Sequence, residues 1–182
     1  MIKILMISSD RNVLTPNSAV SERMKEYGAL VGELHIVLLS DRSYGLKNSQ
    51  IGKNVWVYPT NSSIKFFRPL NAVKIGKRLI YEKQFVRGQS VITTQDPFEC
   101  GWAGMKVKKK WRLPLEVQVH TDPFSPYFSG FQNRVRKFLA RKVLRNADAV
   151  RCVSTAVAQM LGEKAYVLPI YIDKERIAGG QV

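Results

Sequence analysis

Fifteen consecutive residues after the first apolar run, SSDRNVLTPNSAVSE (8–22), contain no glycine. That absence excludes a dinucleotide-binding Gly-x-Gly-x-x-Gly fingerprint and a P-loop at the first strand-to-helix connection, because both need glycine where the backbone approaches phosphate. Long hydrophobic runs are also missing, and none reaches the ~20 residues that cross a bilayer. The opening MIKILMISSD has one lysine, a short apolar run and no small-residue cleavage site. It reads as a first strand and not as a signal peptide. Cysteine is limited to Cys100 and Cys152, without paired spacing, which excludes a disulfide framework and suits free thiols in a reducing cytoplasm. Histidine is limited to His35 and His120. No His/Cys/Asp cluster has metal-ligand spacing, so no metal and no cofactor are expected.

Acidic residues are few. Fourteen Asp and Glu stand against 29 Lys and Arg, a net charge of +15. Such a field attracts nucleic acid, anionic head groups or phosphorylated substrates, and says nothing about fold. The remaining composition, 45% apolar over 182 residues, is that of a globular chain long enough for one large domain or two small ones.

Seven short apolar runs alternate with segments of helical period. The runs are IKILMIS (2–8), LHIVLLS (34–40), VWVYP (55–59), SVITT (90–94), LEVQVH (115–120), DAVRCVS (148–154) and AYVLPI (165–170). Several are apolar at successive positions, as strands buried on both faces require. Helices are expected where Val20, Met24, Tyr27 and Val31 recur, with Asn17 or Ser18 as the cap, and over 70–86, 98–110, 131–146 and 155–162. The alternation predicts a doubly wound α/β domain: a seven-stranded, mainly parallel sheet with right-handed crossovers and helices on both faces.

The tripeptide Asp-Pro-Phe occurs twice after a strand, at 96–98 and 122–124. Asp96-Pro97-Phe98-Glu99 reads mainly as a helix start: an N-cap, a proline at the first position and an acid at the third. Asp122 is followed by Pro126 and lacks that acid, so TDPFSPYFSG reads as an ordered loop leaving a strand's C-terminal end. His120 stands at that strand end beside Asp122, where α/β sheets bind ligands. His35 opens an apolar strand and reads as structural. The polar connection carrying Asp10, Arg11, Asn12 and Asn17 lies at the same edge of the expected sheet and is a candidate ligand contact.

Two segments concentrate the positive charge. MKVKKKWR (105–112) sets Lys106, Lys108, Lys109, Lys110 and Arg112 around Trp111, and Arg134, Lys137, Arg141 and Arg145 repeat along one helical face beside Phe131, Val135, Phe138 and Leu139. With Phe66-Phe67, these cations and aromatics suit the surface of an anionic membrane.

The series MIKILMISSD, NSAVSERMKEYGAL, VITTQDPFECGWAG, LEVQVHTD, NADAVRCVSTAVAQML and YVLPIYID resembles, in order and spacing, the N-terminal domain of GT-B fold glycosyltransferases of family 4. The resemblance covers residues 1–176 and leaves 177–182 as a tail at an interdomain crossover. It departs from the family's pattern in the first loop, which lacks glycine, and at Tyr171, where glycine is usual. It implies a Rossmann-like, acceptor-side domain of a retaining enzyme that transfers sugar from a nucleotide-sugar to a lipid-linked or envelope glycan. No metal is implied. By position, His120 and Asp122 would be catalytic, while Asp10, Arg11, Asn17 and Asp96 would contact acceptor. The family's second domain, which binds most of the nucleotide-sugar, has no counterpart in these 182 residues. The chain alone is therefore expected to be inactive. The expected partners are a nucleotide-sugar donor, a glycan acceptor and the inner face of the cell membrane from the cytoplasm, with no nucleic acid. Two other readings stay open at this point: a nucleic-acid-binding α/β module using its basic faces, and a nonenzymatic domain of glycosyltransferase-like shape.

Overall fold

A computed structural model describes residues 1–125 and 130–168. Residues 126–129 and 169–182, with Pro126, Tyr171 and the tail, lie outside the described residues. The sheet has eight strands: β1 (Lys3–Ser8), β2 (Glu33–Leu38), β3 (Ser49–Gly52), β4 (Val55–Pro59), β5 (Ser90–Thr94), β6 (Leu115–Val119), β7 (Ala149–Cys152) and β8 (Ala165–Val167). Five α-helices accompany them: α1 (Ala19–Ala29), α2 (Arg68–Glu82), α3 (Glu99–Trp111), α4 (Phe131–Asn146) and α5 (Thr155–Leu161). The strand order is β3-β4-β2-β1-β5-β6-β7-β8, parallel throughout except for β3.

All seven expected strands form, and the expectation of seven is corrected to eight. The added β3 (SQIG) pairs antiparallel with β4 at the sheet's edge, with an irregularity between Gln50 and Gly52. It is half-exposed and carries one aliphatic side chain, so it lacks the apolar run that marks a strand buried on both faces.

Alternation along the strands sorts the core into two layers. Leu5, Ile7, Val37, Ile92, Leu115, Val117 and Val119 point into the layer that also takes residues of α2, α3, α4 and α5. Met6, Leu34, Ile36 and Leu38 point the other way, towards Val20, Met24 and Tyr27 of α1. Helices thus cover both faces, but unequally. The second face of β5 to β8 is polar: Thr93 donates to Glu116 Oε1 at 2.8 Å, Gln118 donates to Thr93 at 3.1 Å and Tyr166 donates to Glu116 Oε2 at 2.6 Å. Burial and the Glu116 carboxylate push the Tyr166 hydroxyl up to about 12.

Two glycines let α3 approach closely. A Cβ on Gly104 would lie 2.6 Å from the Thr94 methyl and 3.0 Å from Leu115, and one on Gly101 would meet Val143 of α4 at 2.7 Å and the Asp96 carbonyl at 2.8 Å. Substituting either would force strain of the kind that costs about 1–3 kcal/mol in a packed interior. His35 is structural, as expected. It is fully buried, stacked 4.9 Å from Trp56, with Nε2 2.8 Å from Glu33 and Nδ1 3.0 Å from the Tyr58 hydroxyl.

Candidate active site

β1 sits between β2 and β5, and the chain leaves β1 towards α1 on one face but leaves β5 towards α3 on the other. The connections therefore part above β1 and β5 and open a crevice at the strands' C-terminal ends, the position where open α/β sheets hold ligands.

The glycine-free loop after β1 is ordered by its own side chains. Ser8 Oγ donates to Gln95 Oε1 at 2.6 Å and accepts the Asp10 N–H at 3.1 Å. Asp10 Oδ1 accepts the Asn12 N–H at 3.0 Å and so caps a short 3-10 turn, Arg11–Leu14. Ser18, not Asn17, caps α1, accepting the Ser21 N–H at 3.0 Å. Asn17 takes the left-handed conformation that the missing glycines would have supplied, φ 59°. Arg11 lies 4.0 Å over the ring of Tyr44. A cavity of about 550 Å³ opens here, lined by Ser9, Asp10, Arg11, Asn12, Leu14, Thr15, Tyr44 and Leu46. Asp10 and Arg11 of the expected set belong to it. Asn17, Asp96, His120 and Asp122 do not line it.

The two Asp-Pro-Phe copies build the same turn. Asp96 Oδ1 accepts the Phe98 N–H and Asp122 Oδ1 accepts the Phe124 N–H, both at 2.7 Å, as short aspartate side chains do two residues on. Asp96 also accepts the Cys100 N–H at 3.2 Å, and so serves the start of α3 as expected. The frame differs in detail: α3 begins at Glu99, two residues beyond Pro97, and Glu99 pairs with Arg136 at 3.1 Å instead of reaching back. Burial pushes the Asp96 carboxyl up, against the hydrogen bonds from Cys100 and Phe98.

His120 is the first residue beyond β6 and is exposed. It makes no side-chain hydrogen bond to another described residue. The protein packed around the ring, then the positive charges of Arg151 and Arg23, hold its pKa below the ordinary imidazole value, while Asp96 pulls the other way. A neutral imidazole offers one acceptor and one donor to a ligand hydroxyl. The Asp122 Oδ1 atom is engaged by its own turn, and no bond joins it to His120.

Of the residues that shape this lip, sequence reasoning passed over Arg136 and read Lys137 and Arg141 only as part of a membrane-facing stripe. Arg136 lies 5.5 Å over Phe98 and Arg141 lies 5.3 Å over Phe124, so α4 places one arginine on each turn. Lys137 Nζ donates to the Ser125 carbonyl at 2.9 Å. Three cations of the α4 segment thus hold the loops of the site. Arg151 did leave a signal, as a lone charge inside the apolar strand AVRC.

The two basic segments lie side by side on one face of the sheet, on α3 and α4. Lys108 is locally balanced, held by Asp148 at 2.6 Å and by the Asn146 carbonyl at 2.8 Å. Lys110 lies 4.5 Å over Trp111, which packs half-buried against the core. Phe131, Val135 and Phe138 form an exposed stripe on α4, at 79%, 51% and 65% accessible, and Phe66 is 75% accessible beside Phe67. Among the described residues no helix is long and apolar enough to cross a membrane, and no group of His, Cys, Asp and Glu could hold a metal ion.

Fold and crevice together define the N-terminal, Rossmann-like domain of a GT-B protein. Residues 16–169 match the glycosyl transferase 4-like domain, and the chain belongs to that family. Anabaena HepE, solved in complex with UDP and glucose, superposes with a TM-score of 0.60 at 18% identity, over 99% of this chain and 50% of that one. The lipopolysaccharide outer core galactosyltransferase WaaB superposes with a TM-score of 0.55 at 14% identity, over 95% and 47%. The UDP-GlcNAc 2-epimerase of Methanocaldococcus jannaschii has the same fold, with a TM-score of 0.57 at 11% identity over 91% and 45%. No curated protein matches the chain. The chain spans about half the length of the solved structures it matches.

Proposed function

We propose that this domain is the acceptor-side half of a retaining glycosyltransferase, moving a sugar from a nucleotide-sugar to a lipid-linked or envelope glycan at the inner face of the cell membrane. The observation that carries this reading is the position of His120 at the C-terminal end of β6, beside β5, with its proton affinity depressed by burial and then by Arg151 and Arg23. A neutral imidazole there orients a sugar hydroxyl at the reacting centre. Family membership supports transfer over epimerisation, which the fold alone does not separate.

In this reading the cavity beside Arg11 and Tyr44 receives the acceptor: an aromatic ring and a guanidinium suit a sugar ring with an anionic substituent. Donor affinity resides mainly in a second domain, so the 182-residue chain by itself neither binds nucleotide-sugar tightly nor transfers it. The exposed α4 stripe, flanked by Arg134, Lys142 and Arg145, rests on anionic lipid and brings the crevice to a membrane-held acceptor. No nucleic acid enters the scheme.

The test is turnover. In an enzyme carrying this domain together with a donor-binding domain, His120→Ala is expected to lower kcat by roughly 10- to 1000-fold, the scale of one positioned acid–base or hydrogen-bonding group. An unchanged kcat assigns His120 to structure and overturns the reading.

A further inference from the structure

At the opposite end of the sheet from His120, a second cavity of about 520 Å³ opens below the starts of β5, β6 and β7. Its cations come from three places: Arg87 in the turn before β5, Lys108 and Lys109 in the last turn of α3, and Arg112 just past that helix. Lys108 is neutralised by Asp148, whose carboxylate also accepts the Leu115 N–H at 2.7 Å. Among the described residues Arg87, Lys109 and Arg112 make no ion pair. Three uncompensated cations therefore share one concavity, whose size falls in the range of small-molecule sites, roughly 300–1,000 Å³.

Helix ends alone do not account for this. Lysines in the last turn of α3 offset the helix's partial negative charge, but Arg87 stands five residues past the end of α2. Arg112 closes α3 in the left-handed conformation, φ 52° and ψ 31°. That position is ordinarily glycine's, and a long side chain there costs of order 1 kcal/mol. This turn ends the helix and sets Arg112 in the cavity wall. Gly88, φ 87°, lies in the same wall with open space at its Cα, and Leu113 and Pro114 add an apolar strip.

We propose that this pole of the domain binds a phosphate group on an organic carrier. Two guanidinium forks match phosphate oxygens in paired hydrogen bonds, Lys109 adds a point charge, and the strip at Leu113–Pro114 takes the carbon substituent. The same chemistry is met by a soluble phosphomonoester and by an anionic lipid head group. The site lies away from the sugar crevice and does not rest on the proposed transfer.

The experiment uses the 182-residue chain with glycerol phosphate and inorganic phosphate in titration calorimetry, and with phosphatidylglycerol vesicles in sedimentation. The variants are Arg87→Ala and Arg112→Gly; the second also relieves the left-handed backbone, so it keeps the fold. Each is expected to weaken binding about 10-fold, one charged hydrogen-bonding partner's worth. Saturable binding of the soluble ligands, weakened by both variants, establishes the site and a free phosphomonoester as its source. Vesicle binding weakened by both variants, without soluble binding, establishes it with a head group as source. The proposal is overturned if neither probe binds, or if both variants bind as the parent does.

Discussion

Arg141 lays its guanidinium over the ring of Phe124, 5.3 Å from the centroid, and thereby ties α4 to the loop that follows His120. Arg136 does the same to Phe98 at 5.5 Å. One helix steadies both Asp-Pro-Phe turns. Such contacts at exposed sites are worth about 0.5–1 kcal/mol, so Arg141→Ala should hardly move the melting temperature. Its effect belongs to the loop. In a full-length enzyme kcat should fall several-fold while thermal unfolding stays within a few degrees of the parent. A kcat equal to the parent's would show that the loop needs no such tether.

Burial and then the charge of Arg151 hold the His120 pKa below the ordinary imidazole value. Because that charge opposes the imidazolium, removing it raises the pKa of His120. Arg151→Gln should therefore shift the acid limb of the kcat–pH profile upward, while the alkaline limb stays in place. NMR titration of the His120 ring protons in the isolated domain gives the same answer without turnover. An unmoved titration curve refutes the coupling.

Asp96 provides a stability test with a definite sign. Its folded-state pKa is raised by burial, so the unfolded chain ionises first as pH rises. The contribution of Asp96 to stability is thus largest below the unfolded carboxyl value of about 3.9 and declines as pH rises through the higher folded value. Asp96→Asn keeps an acceptor for the Phe98 and Cys100 N–H groups without the charge. It should melt at or above the parent at pH 7. Asp96→Ala removes the acceptor and should lose about 1 kcal/mol, as lost helix caps do. Thermal melts at pH 4 and 7 check both. A markedly lower melt for Asp96→Asn at pH 7 would contradict the argument.

Most of the sheet was legible because seven strands are apolar on both faces or on their inner one, and their runs end at turn residues. β3 was not, because Gln50 and the half-exposed Ser49 give it no apolar period. The site was legible in part. A histidine at a strand end beside an aspartate is a local pattern, whereas Arg141 meeting Phe124 across 17 positions is a fact of packing, and no spacing rule brings them together. The cationic stripe of α4 was visible, but half of its purpose was not: Lys137 and Arg141 turn towards the loop after His120, leaving Arg134 and Arg145 outward. Lys108, which looks like its neighbours in sequence, is spoken for by Asp148.

That division refines the membrane test. Reversing Lys106, Lys109 and Lys110 to glutamate spares the Lys108–Asp148 pair and should abolish sedimentation with anionic vesicles at low salt, with circular dichroism unchanged. Phe131→Ser with Phe138→Ser should weaken binding at high salt too, since exposed charges are screened over ~8–10 Å but apolar contacts are not. Cosedimentation equal to the parent's in both variants rules out the α3–α4 face as the docking surface.

The bulged edge at β3 has a bearing on how the domain behaves in concentrated solution. A long, regular border strand would offer its open ladder to the next molecule and seed stacking. Here the border is four residues long, kinked between Gln50 and Gly52, and flanked by the exposed Lys47 and Lys53. Two molecules meeting at that border present like charges and mismatched ladders, so growth of the sheet from one molecule to another stops there.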